Sequence, residues 1–198
     1  MHRPLIVLAA LATALVLAGS ALAARVHVRV EGKTQTLFGS TQPVLEGGAN
    51  ALTALDAASL VGELYYHVTQ TSFGPYVDQI GRYPGGGSTG WVFKVNGVSP
   101  PVGADQVALH DGDTVLWYFA TFGPTGGPKT LALRKGTRRN CYRVVAQNDA
   151  GKATPAAGAM LHVDGRAVGT RAGAGCVGRH TGLVKATLAG AVRSNALR

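Results

Sequence analysis

Polar and apolar residues alternate strictly along Arg25-Val26-His27-Val28-Arg29-Val30, the period of a strand with one buried face. Glu31-Gly32-Lys33 reads as a turn, and Thr34–Leu37 as a returning strand. Gly39–Gly48 reads as loop. Asn50 can cap a helix whose stripe is Leu52, Leu55, Ala58 and Leu60 and whose end falls near Gly62. Four further aromatic or β-branched runs predict strands: Tyr65–Thr69, Tyr76–Ile80, Trp91–Val95 and Thr114–Phe119. Asn96-Gly97 is a hairpin turn, and Tyr83–Gly90, with three consecutive glycines, predicts a flexible loop. Alternation puts Trp91, Phe93 and Val95 on one face, and Val115, Trp117 and Phe119 on one face, with Tyr118 opposite. A hairpin, one helix and then more strands predict an α+β domain, one helix on a mainly antiparallel sheet in the manner of a β-grasp.

Gly123-Pro124-Thr125-Gly126-Gly127-Pro128 has the composition of a linker. Beyond it the pattern shows no helix. Thr130–Leu133, Cys141–Gln147, Ala159–Val163, Ala167–Thr170 and Leu183–Leu188 read as strands, with turns at Asn148–Gly151, Asp164-Gly165 and Ala172-Gly173. Short strands spaced in this way predict a small all-β sandwich.

At the N-terminus, Met1-His2-Arg3, an apolar run over Leu5–Ala18 and Ala21-Leu22-Ala23 have the form of a secretory signal peptide cleaved after Ala23. The run is shorter than the ~20 apolar residues a membrane span needs, and no second one follows. The sequence therefore divides into a signal peptide (1–23), a first domain (24–122), a linker (123–128) and a second domain (129–198). It predicts a protein that is secreted or held in the cell envelope, with no transmembrane segment in the mature chain.

Charge sharpens that division. From Arg25 to Phe122 there are five basic and eight acidic residues, net −3; from Gly123 to Arg198 there are thirteen and two, net +11. The second domain should attract anions such as envelope polymers or an acidic membrane surface. Arg134, Lys135, Arg138 and Arg139 flank a predicted hairpin tip at Gly136-Thr137 and are the candidate anion-binding residues. Nucleic acid is the less suitable anion, since export separates the two and no aromatic set interleaves these charges. The two cysteines, Cys141 and Cys176, form an isolated even pair in an exported chain, which reads as a disulfide.

Residues 51–122 resemble the transcobalamin-like C-terminal domain family. Four stretches carry the resemblance in order: Phe73–Ile80, Gly90–Gly97 with its tryptophan and Asn-Gly turn, Val102–Asp105, and Asp111–Tyr118. The resemblance implies a β-grasp with a ligand-facing loop region. In the vitamin carriers such a domain closes over cobalamin held against a large helical domain, which this chain lacks. Cobalamin is thus a ligand to test and not a resident cofactor, and half a site should bind it far more weakly unless a partner supplies the rest. Residues 155–165 and 190–194 resemble, more distantly, the immunoglobulin-like or carboxypeptidase-regulatory-like sandwiches of surface proteins.

Chemistry-bearing motifs are sparse. Ser88 stands in a Gly-x-Ser-x-Gly stretch, Gly86–Gly90, but no helix begins there as a nucleophile elbow requires, and His27, His67, His110, His162 and His180 are scattered singly. Cys141 with His162 or His180 could make a nucleophile pair, but the disulfide competes for the same thiol. His110-Asp111-Gly112-Asp113 passes straight into an apolar strand, as a β-turn does and a calcium loop does not. Gly85-Gly86-Gly87 lacks the Lys-Ser/Thr of a phosphate loop. No catalytic residue or metal ligand is assigned. Tyr83 and Trp91, beside the glycine loop, and Tyr118, on the opposite face of its strand, are the candidate ligand-binding residues. The sequence thus points to a non-enzymatic binding module for a small ligand, such as a corrinoid, or for a surface protein. The alternative is a structural or adhesive envelope protein with a basic anion-binding domain.

Overall fold

The computed structural model describes residues 23–198; the expected signal segment up to residue 22 lies outside the described residues. The N-terminal lobe contains β1 (Ala24–Glu31), β2 (Thr36–Phe38), β3 (Val44–Gly48), α1 (Ala51–Gly62), β4 (Tyr66–Thr71), β5 (Gly74–Ile80), β6 (Tyr83–Pro84), β7 (Thr89–Val95) and β8 (Thr114–Thr121). The C-terminal lobe contains β9 (Lys129–Lys135), β10 (Cys141–Gln147), β11 (Ala153–Pro155), β12 (Met160–Val163), β13 (Arg166–Gly169), β14 (Ala174–Cys176), β15 (Val184–Thr187), β16 (Ala191–Val192) and β17 (Ala196–Leu197).

The first sheet runs β2-β1-β8-β7, with β3 also paired to β1. β1 and β8 are parallel, Val28 opposite Val115 and Val30 opposite Trp117; β7 returns antiparallel. Val26, Val28 and Val30 are wholly buried on the inner face, with Val115, Trp117 and Trp91 beside them. α1 covers part of that face through Ala51, Ala54, Leu55 and Ala58. The separate sheet β4-β5-β6 covers more of it through Val77 and Ile80. Asn50 caps α1 as predicted, its side chain accepting from Thr53 N at 2.9 Å while Thr53 Oγ1 accepts from Asn50 N at 3.0 Å. The predicted stripe is partly displaced: Leu60 is 75% exposed, and Ser59 is buried instead.

The α+β class expected from the sequence does not hold. Among the described residues strand accounts for 51% and helix for 7%, in a single helix, and the strands form several small sheets, so the architecture is that of an all-β sandwich. The reason lies in what covers the first sheet. A helix of 12 residues is too small to bury its inner face, and a second sheet completes the cover. The outer face is buried by strands as well. The run Val115–Ala120 is apolar at every position, and every one of its residues but Phe119 is buried. Leu116, Tyr118 and Ala120 pack with Val92 and with Val192 of β16 between the lobes. Two segments read as loops also pair as strands. Val44–Gly48 lacks an apolar alternation yet joins the free edge of β1 through backbone bonds. The glycine loop is a tight turn in which Gly86 and Thr89 exchange backbone hydrogen bonds of 2.9 and 3.0 Å.

The C-terminal lobe packs β11-β10-β9-β16, with β14 on β10, against β13-β12-β15-β17. Its core includes Leu131, Leu133, Val144, Leu161, Val163 and Val184. Cys141 and Cys176 are disulfide-bonded and sit directly opposite one another on β10 and β14.

Charged side chains join the lobes. Glu31, at the end of β1, is fully buried and is reached by Arg29 Nη1 at 3.2 Å, Lys185 Nζ at 3.0 Å and Arg193 Nε at 3.0 Å, with Thr36 donating as well. Lys94, also fully buried, donates to Asn148 O at 2.9 Å and lies 3.3 Å from Asp149 Oδ1. Burial lowers the pKa of Lys94, against the opposing pull of Asp149.

Candidate functional site

β7 is an edge strand, and a cleft of about 340 Å³ opens beside it. Trp91 and Phe93 of β7 and Trp117 and Tyr118 of β8 form its floor. Tyr76 and Val77 of β5 close one side, and the loop Pro100–Ala104 the other. Phe122 and Asp149 bring the interlobe connection and the C-terminal lobe to the rim.

The floor is rigid for identifiable reasons. Trp91 and Trp117 are 1% and 2% exposed, as their alternation predicts. Each buried indole N–H has an acceptor, Tyr83 O at 2.8 Å for Trp91 and Ala51 O at 3.1 Å for Trp117, as a buried tryptophan requires. Phe93 stacks on Trp117 with centroids 5.0 Å apart, and Trp91 meets Phe119 edge to face at 5.5 Å. Gly90 admits the Tyr76 ring: a Cβ there would lie 2.5 Å from the Tyr76 hydroxyl oxygen. Burial, with Asp149 nearby, pushes the Tyr118 hydroxyl up to about 12, so it stays protonated and neutral at physiological pH.

Of the three candidate ligand residues, Trp91 and Tyr118 line this cleft and Tyr83 does not. Tyr83 packs against Phe119 with centroids 5.9 Å apart, and its hydroxyl is 2.9 Å from Thr34 Oγ1. The sequence reading missed Phe122 and Val102, 42% and 45% exposed at the cleft, and Asp149. The available signal was the apolar character of both faces of β8, which calls for a second covering layer.

The four candidate anion residues separate. Lys135, Arg138 and Arg139 surround a cavity of about 420 Å³ at the β9–β10 hairpin, joined by Arg198. Arg134 lines a different cavity, between the lobes. No salt bridge engages these five cations among the described residues.

The remaining candidates are held in local structure. Asp111 accepts from Arg25 N at 2.8 Å, and Asp113 accepts from His110 N at 2.8 Å and from Asn96 Nδ2 at 2.7 Å, so these carboxylates brace the turn. The disulfide takes both sulfurs that a cysteine nucleophile would need. Among the described residues, no three His, Cys, Asp or Glu side chains converge as metal ligands, and no helix is long and apolar enough to cross a membrane.

Residues 48–121 match a family model described as a domain of unknown function (DUF4430). The match runs from the end of β3 to the end of β8, over a third of the chain, and takes in the cleft floor. It nearly coincides with the 51–122 span of the transcobalamin-like stretches. No curated protein matches the chain.

Proposed function

We propose that this is an exported, non-enzymatic binding protein whose N-terminal lobe holds an apolar, flat-faced ligand in the cleft beside β7. One observation carries the reading: all four stretches behind the transcobalamin-like resemblance contribute to the wall of this one cleft. Phe73–Ile80 supplies Tyr76 and Val77, Gly90–Gly97 supplies Trp91 and Phe93, Val102–Asp105 supplies Val102 and Ala104, and Asp111–Tyr118 supplies Trp117 and Tyr118. The composition suits such a ligand, since aromatic and aliphatic walls reward burial while a few polar groups fix orientation. The walls present mainly contact area; Ser99 donates to Asp149 Oδ1 at 3.3 Å, and among the described residues no histidine lines the cleft beside that pair.

A corrinoid is the first ligand to test. The cleft lies at the small end of the ~300–1,000 Å³ typical of small-molecule sites, so it would grip one edge of so large a ring and leave the rest to a partner. Titration of the purified protein with a corrinoid and with the neutral dye Nile red, read by absorbance and fluorescence, tests the reading. Saturable 1:1 binding of either supports an apolar ligand site, and corrinoid binding supports the finer likeness. Failure of both would refute the reading.

A specific observation favours a second role for the C-terminal lobe. Among the described residues, the Lys135, Arg138, Arg139 and Arg198 cavity has no Asp or Glu in its walls, so it suits an anionic envelope polymer. Sedimentation with cell envelope should be strong at low salt and weak at high salt. Replacing Lys135, Arg138 and Arg139 by glutamate should remove it; binding indifferent to salt would refute this role.

A further inference from the structure

We infer that the crevice between the lobes is a binding site for a small oxyanion of the phosphate class, gripped by Arg29 from one side and Arg134 from the other. This site is distinct from both the aromatic cleft and the hairpin cavity, and it rests on different residues.

The crevice has a volume of about 370 Å³ and lies between β1 and β8 on one side and β9 on the other. Arg29, Arg134, Gln42 and Gln147 are among its walls, and among the described residues no acidic side chain lines it. Arg29 is the decisive residue. Its side chain is 4% exposed, and Nη1 donates to Glu31 Oε1 at 3.2 Å and to Arg193 O at 2.7 Å. Its Nε is buried with no hydrogen-bond partner among the described residues. A buried donor left unpaired is costly, and a guanidinium whose Nη1 is already committed has its Nε edge left over for a second oxyanion partner. An oxyanion with two free oxygens matches that fork, as a single carbonyl does not.

The charge count points the same way. Among the described residues Glu31 is the one carboxylate in contact with Arg29, Lys185 and Arg193, so three cations share one anion behind the Arg29 wall of the crevice. Arg134 adds a fourth at the mouth, where it is exposed. Burial lowers the pKa of Arg29 to about 10, still well above neutrality, so the excess charge persists at physiological pH. An anion bound here would neutralise that excess where water screens it least, and would brace the lobes against each other. Gln147, whose side-chain amide lies against Gly97, can add a neutral donor from the C-terminal lobe.

Free inorganic phosphate and the phosphodiester of an envelope polymer present the same oxygens. Both are therefore tested, against sodium chloride at matched ionic strength, by phosphorus NMR titration and by the thermal midpoint of the full chain. Inorganic phosphate or glycerophosphoglycerol should raise the midpoint by several degrees where chloride does not; whichever acts identifies the source. Arg29→Lys, which keeps the charge but loses the fork, and Arg134→Gln, at the exposed mouth, should each weaken binding by about tenfold, the worth of one charge-assisted bond. Arg171→Glu, at an exposed cation that lines neither this crevice nor the hairpin cavity, should bind as the unaltered protein does. If Arg29→Lys fails to fold, Arg134→Gln decides alone. The inference is overturned if neither phosphate compound acts beyond chloride. It is equally overturned if Arg134→Gln binds undiminished, or if Arg171→Glu abolishes binding.

Discussion

Arg193 Nε donates to Glu31 Oε2 at 3.0 Å across 162 residues of chain, so the first strand of the N-terminal lobe is tied to the last turn of the C-terminal one. The same guanidinium donates to Gly32 O at 2.6 Å, and Lys185 reaches Glu31 from β15. Glu31→Gln keeps the shape and removes the charge, leaving Arg29, Lys185 and Arg193 without their shared anion. Breaking a buried ion pair in this way costs about 3–5 kcal/mol. Urea unfolding should show a loss of that size. A loss below about 1 kcal/mol, typical of exposed pairs, would mean that the cluster is solvated in solution.

The Cys141–Cys176 bond closes a 35-residue span. In the chain-entropy picture such a closure contributes about 4 kcal/mol. Mass spectrometry of the unreduced protein should find it two hydrogens lighter than the reduced form. The Cys141→Ser/Cys176→Ser variant should unfold at markedly lower denaturant, with the N-terminal core retaining its tryptophan signal longest. Freely alkylated thiols in the native oxidised protein would contradict the assignment.

Tyr118 sets an alkaline limit. Its folded pKa is raised to about 12 from an ordinary 10, chiefly by burial. The unfolded chain therefore loses this proton first as pH rises. The contribution to stability is full below pH 10 and is lost as pH climbs from there toward 12. Tyrosinate absorbance should show a late-titrating tyrosine that Tyr118→Phe removes, and the variant should lose less stability over that window. Titration of every tyrosine near pH 10 in folded protein would place Tyr118 in water.

Much of this was legible in the sequence. The alternation of Arg25–Val30, the Asn50 cap, the Asn96-Gly97 turn and the Cys141–Gln147 strand reflect local rules, and each appears where those rules put it. Two kinds of feature were not legible. β3 owes its existence to an unpaired edge of β1, a backbone requirement that Val44–Gly48 does not advertise in its side chains. The burial of Lys94 and Glu31 depends on partners more than 50 and 150 residues away. Alternation alone puts such residues in water. Only the apolar outer positions of β8, Leu116, Tyr118 and Ala120, signalled that a second layer lies over them. The fold class was misread for the same reason: the helix is visible locally, whereas the sheets that outweigh it are assembled by distant pairing.

The ligand cleft is tested most directly at its exposed mouth, where Val102 and Phe122 can be changed without disturbing the buried floor. Nile red or corrinoid binding should be measured by equilibrium fluorescence titration in unaltered protein, in Val102→Asp and in Phe122→Ala, with the thermal midpoint as a check on folding. The account predicts saturable binding that weakens by at least about tenfold in Val102→Asp, because a carboxylate at an apolar wall loses hydration when the ligand arrives. A smaller loss is expected in Phe122→Ala. Equal affinity in all three folded proteins would place the ligand elsewhere and contradict the account.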